Sequence, residues 1–189
     1  MAPVAAIVLA AGMGKRIGGP KMYLPIDGTT FHGRILDRLA GAGVVRVVTV
    51  IAGCEVGTAM AYAGGARLVV NPCPSEGMLS SVRTGVAALG ETEGYLVIPV
   101  DHPEVALRTY RELLDAFAAE PGSVVRPVRQ GRAGHPVIIP LAVARLIPAG
   151  DLPGGLAGVI RSSGAPVVSI EIDDPGILIN VNTKADLER

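Results

Sequence analysis

The stretch Val4-Ala-Ala-Ile-Val-Leu-Ala-Ala-Gly-Met-Gly-Lys-Arg-Ile-Gly-Gly-Pro-Lys21 decides how the rest of the chain is read. Val4 to Leu9 is a short, unbroken apolar run, which predicts a strand buried on both faces of a parallel sheet. Gly12 and Gly14 then free the backbone to turn sharply and to bring its N–H groups close to a ligand. Lys15, Arg16 and Lys21 add positive charge that a neutral ligand would not require. The combination fits a polyphosphate site, and it fits equally a basic strand-to-helix turn.

Two familiar phosphate loops fail on these residues. A P-loop needs Gly-x-x-x-x-Gly-Lys-Ser/Thr. Here Lys15 is followed by Arg16, and Gly19 by Pro20. The dinucleotide fingerprint Gly-x-Gly-x-x-Gly is missed by one residue, because the third glycine is Gly18. The apolar run Val44 to Ala52 also lacks the closing acid that such a fold uses on the ribose. Three cations suit a triphosphate better than a dinucleotide pyrophosphate held by backbone and helix dipole.

Composition narrows the classes. The 189 residues can build a substantial core, and the hydrophobic 49% is spread throughout, with no internal repeat or linker. One domain over residues 1–189 is expected. Basic and acidic residues balance at 17 each, so no general field for nucleic acid or membrane exists and any phosphate attraction is local. No Trp, two Phe and four Tyr leave few rings for stacking single strands. No apolar run approaches about 18 residues, and no basic leader precedes a cleavable stretch. Cys54 and Cys73 lack ligand spacing and fit a reduced setting. A soluble, cytoplasmic chain is expected.

Further along, Leu24 to Thr30 predicts a turn with Asp27-Gly28 at its tip, followed by a helix over Phe31 to Ala40. Val44 to Ile51, Ala66 to Asn71, Ser123 to Val128, Val137 to Ile139 and Val167 to Ile172 predict strands. Helices are expected over Glu55 to Ala63, Val105 to Ala119, Ala142 to Ile147 and Leu156 to Ser162. Strands alternating with helices imply an α/β fold with a mainly parallel sheet covered on both faces.

Three later stretches carry chemistry. In Asn71-Pro-Cys-Pro-Ser-Glu-Gly-Met-Leu-Ser-Ser-Val-Arg-Thr-Gly85, Ser80 or Ser81 can cap a helix running to Leu89, or meet a phosphate. Tyr95-Leu-Val-Ile-Pro-Val-Asp101-His-Pro103 is a strand ending in an acid, where open α/β sheets collect ligands. A carboxylate facing a triphosphate calls for a cation between them, and Mg²⁺ binds through one or two carboxylates plus phosphate oxygens. Capping of the helix near Pro103 is the other use for Asp101. In Arg129-Gln-Gly-Arg-Ala-Gly-His-Pro136, His135 is either a satisfied structural histidine or a site residue, with Arg129 and Arg132 nearby. The end, Ile179-Asn-Val-Asn-Thr-Lys-Ala-Asp-Leu187, places Thr183 as a helix cap with Asp186 reaching back.

Leu9 to Lys21 matches Leu-Ala-Ala-Gly-x-Gly-x-Arg-(x)-Gly-x-Pro-Lys, and so resembles the signature loop of enzymes that transfer NMP from an NTP and release pyrophosphate. With Glu76 to Gly85, the strand-end Asp-x-Pro, Gly134-His-Pro136 and the closing motif in family order, the chain is most similar to the molybdenum cofactor cytidylyltransferases. The resemblance implies a three-layer, Rossmann-like nucleotidyltransferase fold. It also implies nucleotide contacts from Leu9, Ala10, Ala11, Gly12, Gly14, Arg16, Lys21, Gly77, Ser80 and Ser81. Arg16, Lys21 and Asp101 are the implied catalytic groups, and Met78 and His135 the acceptor side. Asp101 and Asn182 are the implied Mg²⁺ ligands. The donor would be CTP and the acceptor a phosphate-bearing small molecule, the molybdopterin cofactor. Asn180 and Asn182 stand where this branch generally has aspartates and are more usual in the guanylyl branch, whereas Ala10-Ala11-Gly12 favours CTP. A non-catalytic nucleotide-binding accessory protein and a sugar- or polyol-phosphate nucleotidyltransferase are the rival readings. Docking of a molybdoenzyme and self-association both stay open.

Overall fold

The computed structural model describes residues 4–12, 19–53, 66–150 and 152–181. The predicted helix over Glu55 to Ala63, Gly14, Lys15, Arg16, Gly18, Asn182, Thr183 and Asp186 lie outside the described residues. β1 (Val4–Leu9) is buried at every position, as its apolar run requires. It pairs in parallel with β4 (Val47–Ala52) on one side and with β6 (Gly94–Pro99) on the other, Ile7 lying opposite both Val48 and Val97. β5 (Arg67–Asn71) extends the parallel set beyond β4.

On the other side of β6 the sheet continues through β9 (Val137–Pro140), β7 (Val124–Arg129) and β10 (Val167–Glu171). β9 runs antiparallel to both β6 and β7, and the two-residue β8 (Arg132–Ala133) folds back on β7. Only residues 130–136 join β7 to β9, too few for the helical crossover that a parallel neighbour needs. The sheet is therefore mainly parallel with one reversed internal strand. A separate hairpin, β2 (Pro25–Ile26) and β3 (Thr29–Thr30), turns on Asp27 and Gly28, both at positive φ.

Alternate residues of the central strands feed two cores, which makes the fold a three-layer α/β sandwich. Val4, Ala6 and Val8 of β1 and Leu96 and Ile98 of β6 face α1 (Phe31–Gly41) and α3 (Leu107–Ala119), packing on Phe31, Ile35, Leu39, Tyr110, Leu113 and Phe117. Burial of the Tyr110 hydroxyl among these side chains pushes its pKa up. Ile7, Leu9, Tyr95 and Val97 face the opposite layer: α2 (Met78–Leu89), α4 (Leu141–Ala144) and α5 (Gly155–Ser163), through Leu79, Val82, Val143 and Val159.

Several boundaries depart from the sequence expectation, among them the helix expected over Ala142 to Ile147, which spans Leu141–Ala144. The second long strand begins at Val47 rather than Val44, because Val44 completes the end of α1. Gly43, at φ 84°, bonds back to the Ala40 carbonyl and Val44 to the Leu39 carbonyl. α2 begins at Met78 behind Gly77, so Ser80 and Ser81 lie inside its first turn and neither is its N-cap residue. The helix expected from Val105 starts at Leu107.

α2 crosses β1 at close range. A Cβ built on Gly85 would lie 2.4 Å from Ile7 Cγ2, in a part of the core with no solvent exposure. Gly85→Ala is therefore expected to lose about 1–3 kcal/mol by overpacking, outweighing alanine's better helix propensity. Urea unfolding of Gly85→Ala alone and combined with Ile7→Ala checks this. An additive pair of effects would show that the two side chains do not meet.

Candidate functional site

The chain runs from β1 through α1 to β4, then on to β5, and returns through α2 on the opposite face to β6. The direction of sheet growth thus reverses between β1 and β6, which leaves a crevice beyond their carboxyl ends. Val100 N–H donates to the Leu9 carbonyl at 3.0 Å and Ala10 N–H to the Val50 carbonyl at 2.8 Å, so the three strand ends close together. A cavity of about 280 Å³ opens there. Leu9, Ala11, Gly12 and Lys21 form one wall, Pro99, Val100 and Asp101 the floor, and Pro74, Gly77, Met78 and Ser81 the opposite wall.

Lys21 heads a single 3₁₀ turn, Lys21–Tyr23, anchored by the fully buried Met22. Its Nζ donates to Asp101 Oδ2 at 2.9 Å, and the two side chains are only 16% and 22% exposed. The Asp101 carbonyl accepts from Val181 N–H at 2.9 Å, which brings the closing segment beside the end of β6. Asn180, just before it, is exposed.

The alternative of Asp101 as a helix cap is excluded by the same geometry. Ala106 is the N-cap residue of α3, and Asp174 serves that end instead, accepting from Ala106 N at 2.8 Å and Thr109 Oγ1 at 2.6 Å.

Across the cavity, the start of α2 is held by a residue that the sequence did not single out. Asn71, buried at the end of β5, donates from Nδ2 to Ser80 Oγ at 2.7 Å and Ser81 Oγ at 3.0 Å, and accepts from Cys73 N–H at 2.9 Å. Ser80 Oγ donates in turn to the Gly77 carbonyl at 2.8 Å. Ser80 is fully buried and is not among the residues lining the cavity, whereas Ser81 is on the wall. Met78 is 56% exposed at the rim. Arg83 pairs with Glu76 at 2.7 Å, and that hydrogen bond holds the Glu76 carboxyl below its usual range. The sequence signal for Asn71 was a polar residue closing an apolar strand just before Pro72.

His135 stands apart from this cavity. It follows Gly134 into a cis peptide with Pro136, donates its N–H to the Ile177 carbonyl at 2.9 Å, and packs on His102 with ring centroids 4.8 Å apart. Burial, then the neighbouring imidazole, pushes His135 down to about 4, and burial lowers His102. Both rings are therefore neutral near pH 7 and pack as an aromatic pair behind Asp101. His135 lines a second hollow of about 540 Å³ among β7, β10 and α5. Arg129 is paired with Asp173 at 3.1 Å, and Arg132 is exposed on β8.

Among the described residues no three His, Cys, Asp or Glu side chains gather into a metal cage. No hydrogen bond among the described residues reaches Asp101 Oδ1, and the carboxylate sits on a cavity large enough for phosphate groups. One carboxylate plus phosphate oxygens is the donor set that suits Mg²⁺. No described helix is long and apolar enough to cross a membrane.

A parallel-sheet crevice lined by Gly12, a lysine and a strand-end aspartate is the architecture of a nucleotide site in an α/β protein. Residues 6–167 match the MobA-like NTP transferase domain, and the chain belongs to that family. It is 35% identical over 145 residues to nicotine blue oxidoreductase of Paenarthrobacter nicotinovorans, a match covering 72% of this chain and 70% of that protein. It is 27% identical over 140 residues to the molybdenum cofactor cytidylyltransferase of Escherichia coli K12, covering 74% and 71%. Among solved structures it is similar to Rv0371c of Mycobacterium tuberculosis, at TM-score 0.85 and 26% identity over 98% of this chain and 95% of that one. A manganese complex of Rv0371c superposes at TM-score 0.80 and 25% identity, covering 98% and 96%.

Proposed function

We propose that residues 1–189 form one nucleotidyltransferase domain that transfers NMP from an NTP, with CTP the favoured donor, to a phosphate-bearing small-molecule acceptor, and that molybdopterin is that acceptor. The observation that carries this reading is the Lys21–Asp101 pair at 2.9 Å, set on the cavity lined by Ala11 and Gly12 at the β1–β6 crevice. An acceptor phosphate oxygen attacks the α-phosphorus, the bond from that phosphorus to the β-phosphate bridge breaks, and pyrophosphate leaves with the electron pair. A phosphate nucleophile is ionised near neutral pH, so no general base is required.

Positioning and charge neutralisation supply the catalysis. Leu9, Ala10, Ala11, Gly12 and Gly14 would offer backbone N–H groups to the nucleotide. Lys21 and Arg16 balance the charge that builds on the phosphates. Gly77 and Ser81 close the opposite wall, Met78 meets the acceptor at the rim, and His135 would meet it from the second hollow. Asp101 would hold Mg²⁺, together with Asn182, and the bound ion would supply positive charge that stabilises the leaving pyrophosphate. The manganese complex of Rv0371c supports a divalent cation in this fold.

Thermal unfolding with CTP, GTP, ATP, UTP, NADH and NADPH, each with Mg²⁺, tests the donor class. Ligand at about 100 times its Kd adds about 2.7 kcal/mol, a rise of roughly 5–10 °C for a domain of this size. CTP is expected to give that rise. A rise with GTP alone, in line with Asn180 and Asn182, would replace CTP as donor. A rise only with a nicotinamide dinucleotide would overturn nucleotidyl transfer and favour the chemistry named for the Paenarthrobacter relative.

A further inference from the structure

We infer that Lys21 is a displaceable internal cation: it occupies the place of the metal on Asp101 while the site is empty and hands that place over when nucleotide and metal arrive together. The inference rests on the reading of Asp101 as the metal carboxylate. Lys21 Nζ lies 2.9 Å from Asp101 Oδ2, within the range of a charge-assisted hydrogen bond. Both side chains are mostly buried, so water screens neither charge well. A divalent ion approaching Asp101 alone therefore meets an oxygen already engaged and an ammonium group that repels it.

The backbone around the pair is built for one moving part. Met22 is fully buried next to Lys21, and Leu24 N–H closes the turn onto the Lys21 carbonyl at 3.1 Å. Asp101 is fixed in the same way, its carbonyl bonded to Val181 N–H. The Lys21 side chain, a flexible four-carbon stem ending in a compact charge, can exchange Asp101 for a phosphate while the backbone at both residues stays in place. Lys21 also lines the cavity together with Ala11 and Gly12, so an incoming phosphate is within its sweep. When phosphate draws the ammonium away, Asp101 gains room for the ion. Nucleotide and metal then bind with positive coupling, and by linkage each raises the affinity of the other equally.

Electron paramagnetic resonance titration of Mn²⁺ tests this on wild type, Lys21→Met, Lys21→Gln, Asp101→Asn and the Lys21→Met/Asp101→Asn pair. Each is measured with and without a non-hydrolysable CTP analogue. Without nucleotide, Lys21→Met is expected to bind Mn²⁺ about tenfold more tightly than wild type, and the double variant to lose that gain. Lys21→Gln keeps a polar end and gives the same direction with a smaller gain, should the methionine variant fold poorly. The coupling between Mn²⁺ and nucleotide is expected to be larger in wild type than in either variant. Unchanged or weaker nucleotide-free Mn²⁺ binding in both lysine variants overturns the handover, while loss of metal-dependent nucleotide binding in Asp101→Asn would leave the proposed function standing. Unaltered metal-dependent nucleotide binding in Asp101→Asn overturns the assignment of Asp101, and the handover with it.

Discussion

Asp101→Asn is expected to lower pyrophosphate release by about a thousandfold while leaving the fold intact. The substitution keeps the size of the side chain and an oxygen at the end of β6. It removes the negative charge that offsets Lys21 and that, on the proposed function, offsets a divalent ion during turnover. Residues that neutralise charge only as it develops act on the transition state, so the loss falls on kcat and on kcat/KM together. Nucleotide binding should survive through the backbone of Ala11 and Gly12 and through Lys21, which no longer has a carboxylate to share. The nucleotide-induced thermal shift should therefore persist but lose its dependence on Mg²⁺. A turnover assay that follows pyrophosphate, run beside circular dichroism of the variant, separates these effects. Near wild-type turnover would remove Asp101 from the chemistry and with it the proposed metal position.

What the sequence disclosed follows the range over which physics acts along the chain. β1 and β6 were legible almost to the residue, because an uninterrupted apolar run has one stable environment, the middle of a covered sheet. The hairpin tip at Asp27-Gly28 was legible because its turn chemistry is local. The strand-end position of Asp101 followed from the strand itself. Its partner did not: Lys21 lies 80 residues away in sequence, so no local spacing announces their contact. The job of capping α3 fell to Asp174 rather than Asp101 for the same reason, since a cap supplied from 65 residues beyond leaves no local spacing to read. Ser80 and Ser81 were indistinguishable in the sequence. The helix rotation that Asn71 fixes puts one against the core and the other on the cavity wall. The reversed strand β9 was hidden because a buried run reads alike in either direction, and only the short link from β7 betrays it.

Asp174→Ala is expected to destabilise the protein by about 3–5 kcal/mol, the largest loss of stability foreseen for a single change outside the hydrophobic core. The side chain is 4% exposed and takes three hydrogen bonds. Oδ2 accepts from Ala106 N–H and Thr109 Oγ1, and Oδ1 accepts from Gly176 N–H at 2.9 Å. Alanine would leave those donors buried without an acceptor, each at a cost of about 1–3 kcal/mol before relaxation. Asp174→Asn keeps one acceptor oxygen and turns an NH₂ toward donors, so it should lose less than alanine while remaining clearly below wild type. The consequence reaches the site along the chain. The turn Pro175–Ile177 supplies the carbonyl that receives His135 N–H, and Val181, four residues on, donates to the Asp101 carbonyl. Arg38 of α1 bonds the Pro103 and Val105 carbonyls of the same loop, so the loosened region is shared by α1, α3 and the closing segment. Urea unfolding and Tm are the measurements, with a fall of roughly 10 °C expected for alanine. A change of under about 1 kcal/mol would mean that water replaces the carboxylate at all three donors, and that the closing segment is held at Asp101 by its own contacts alone.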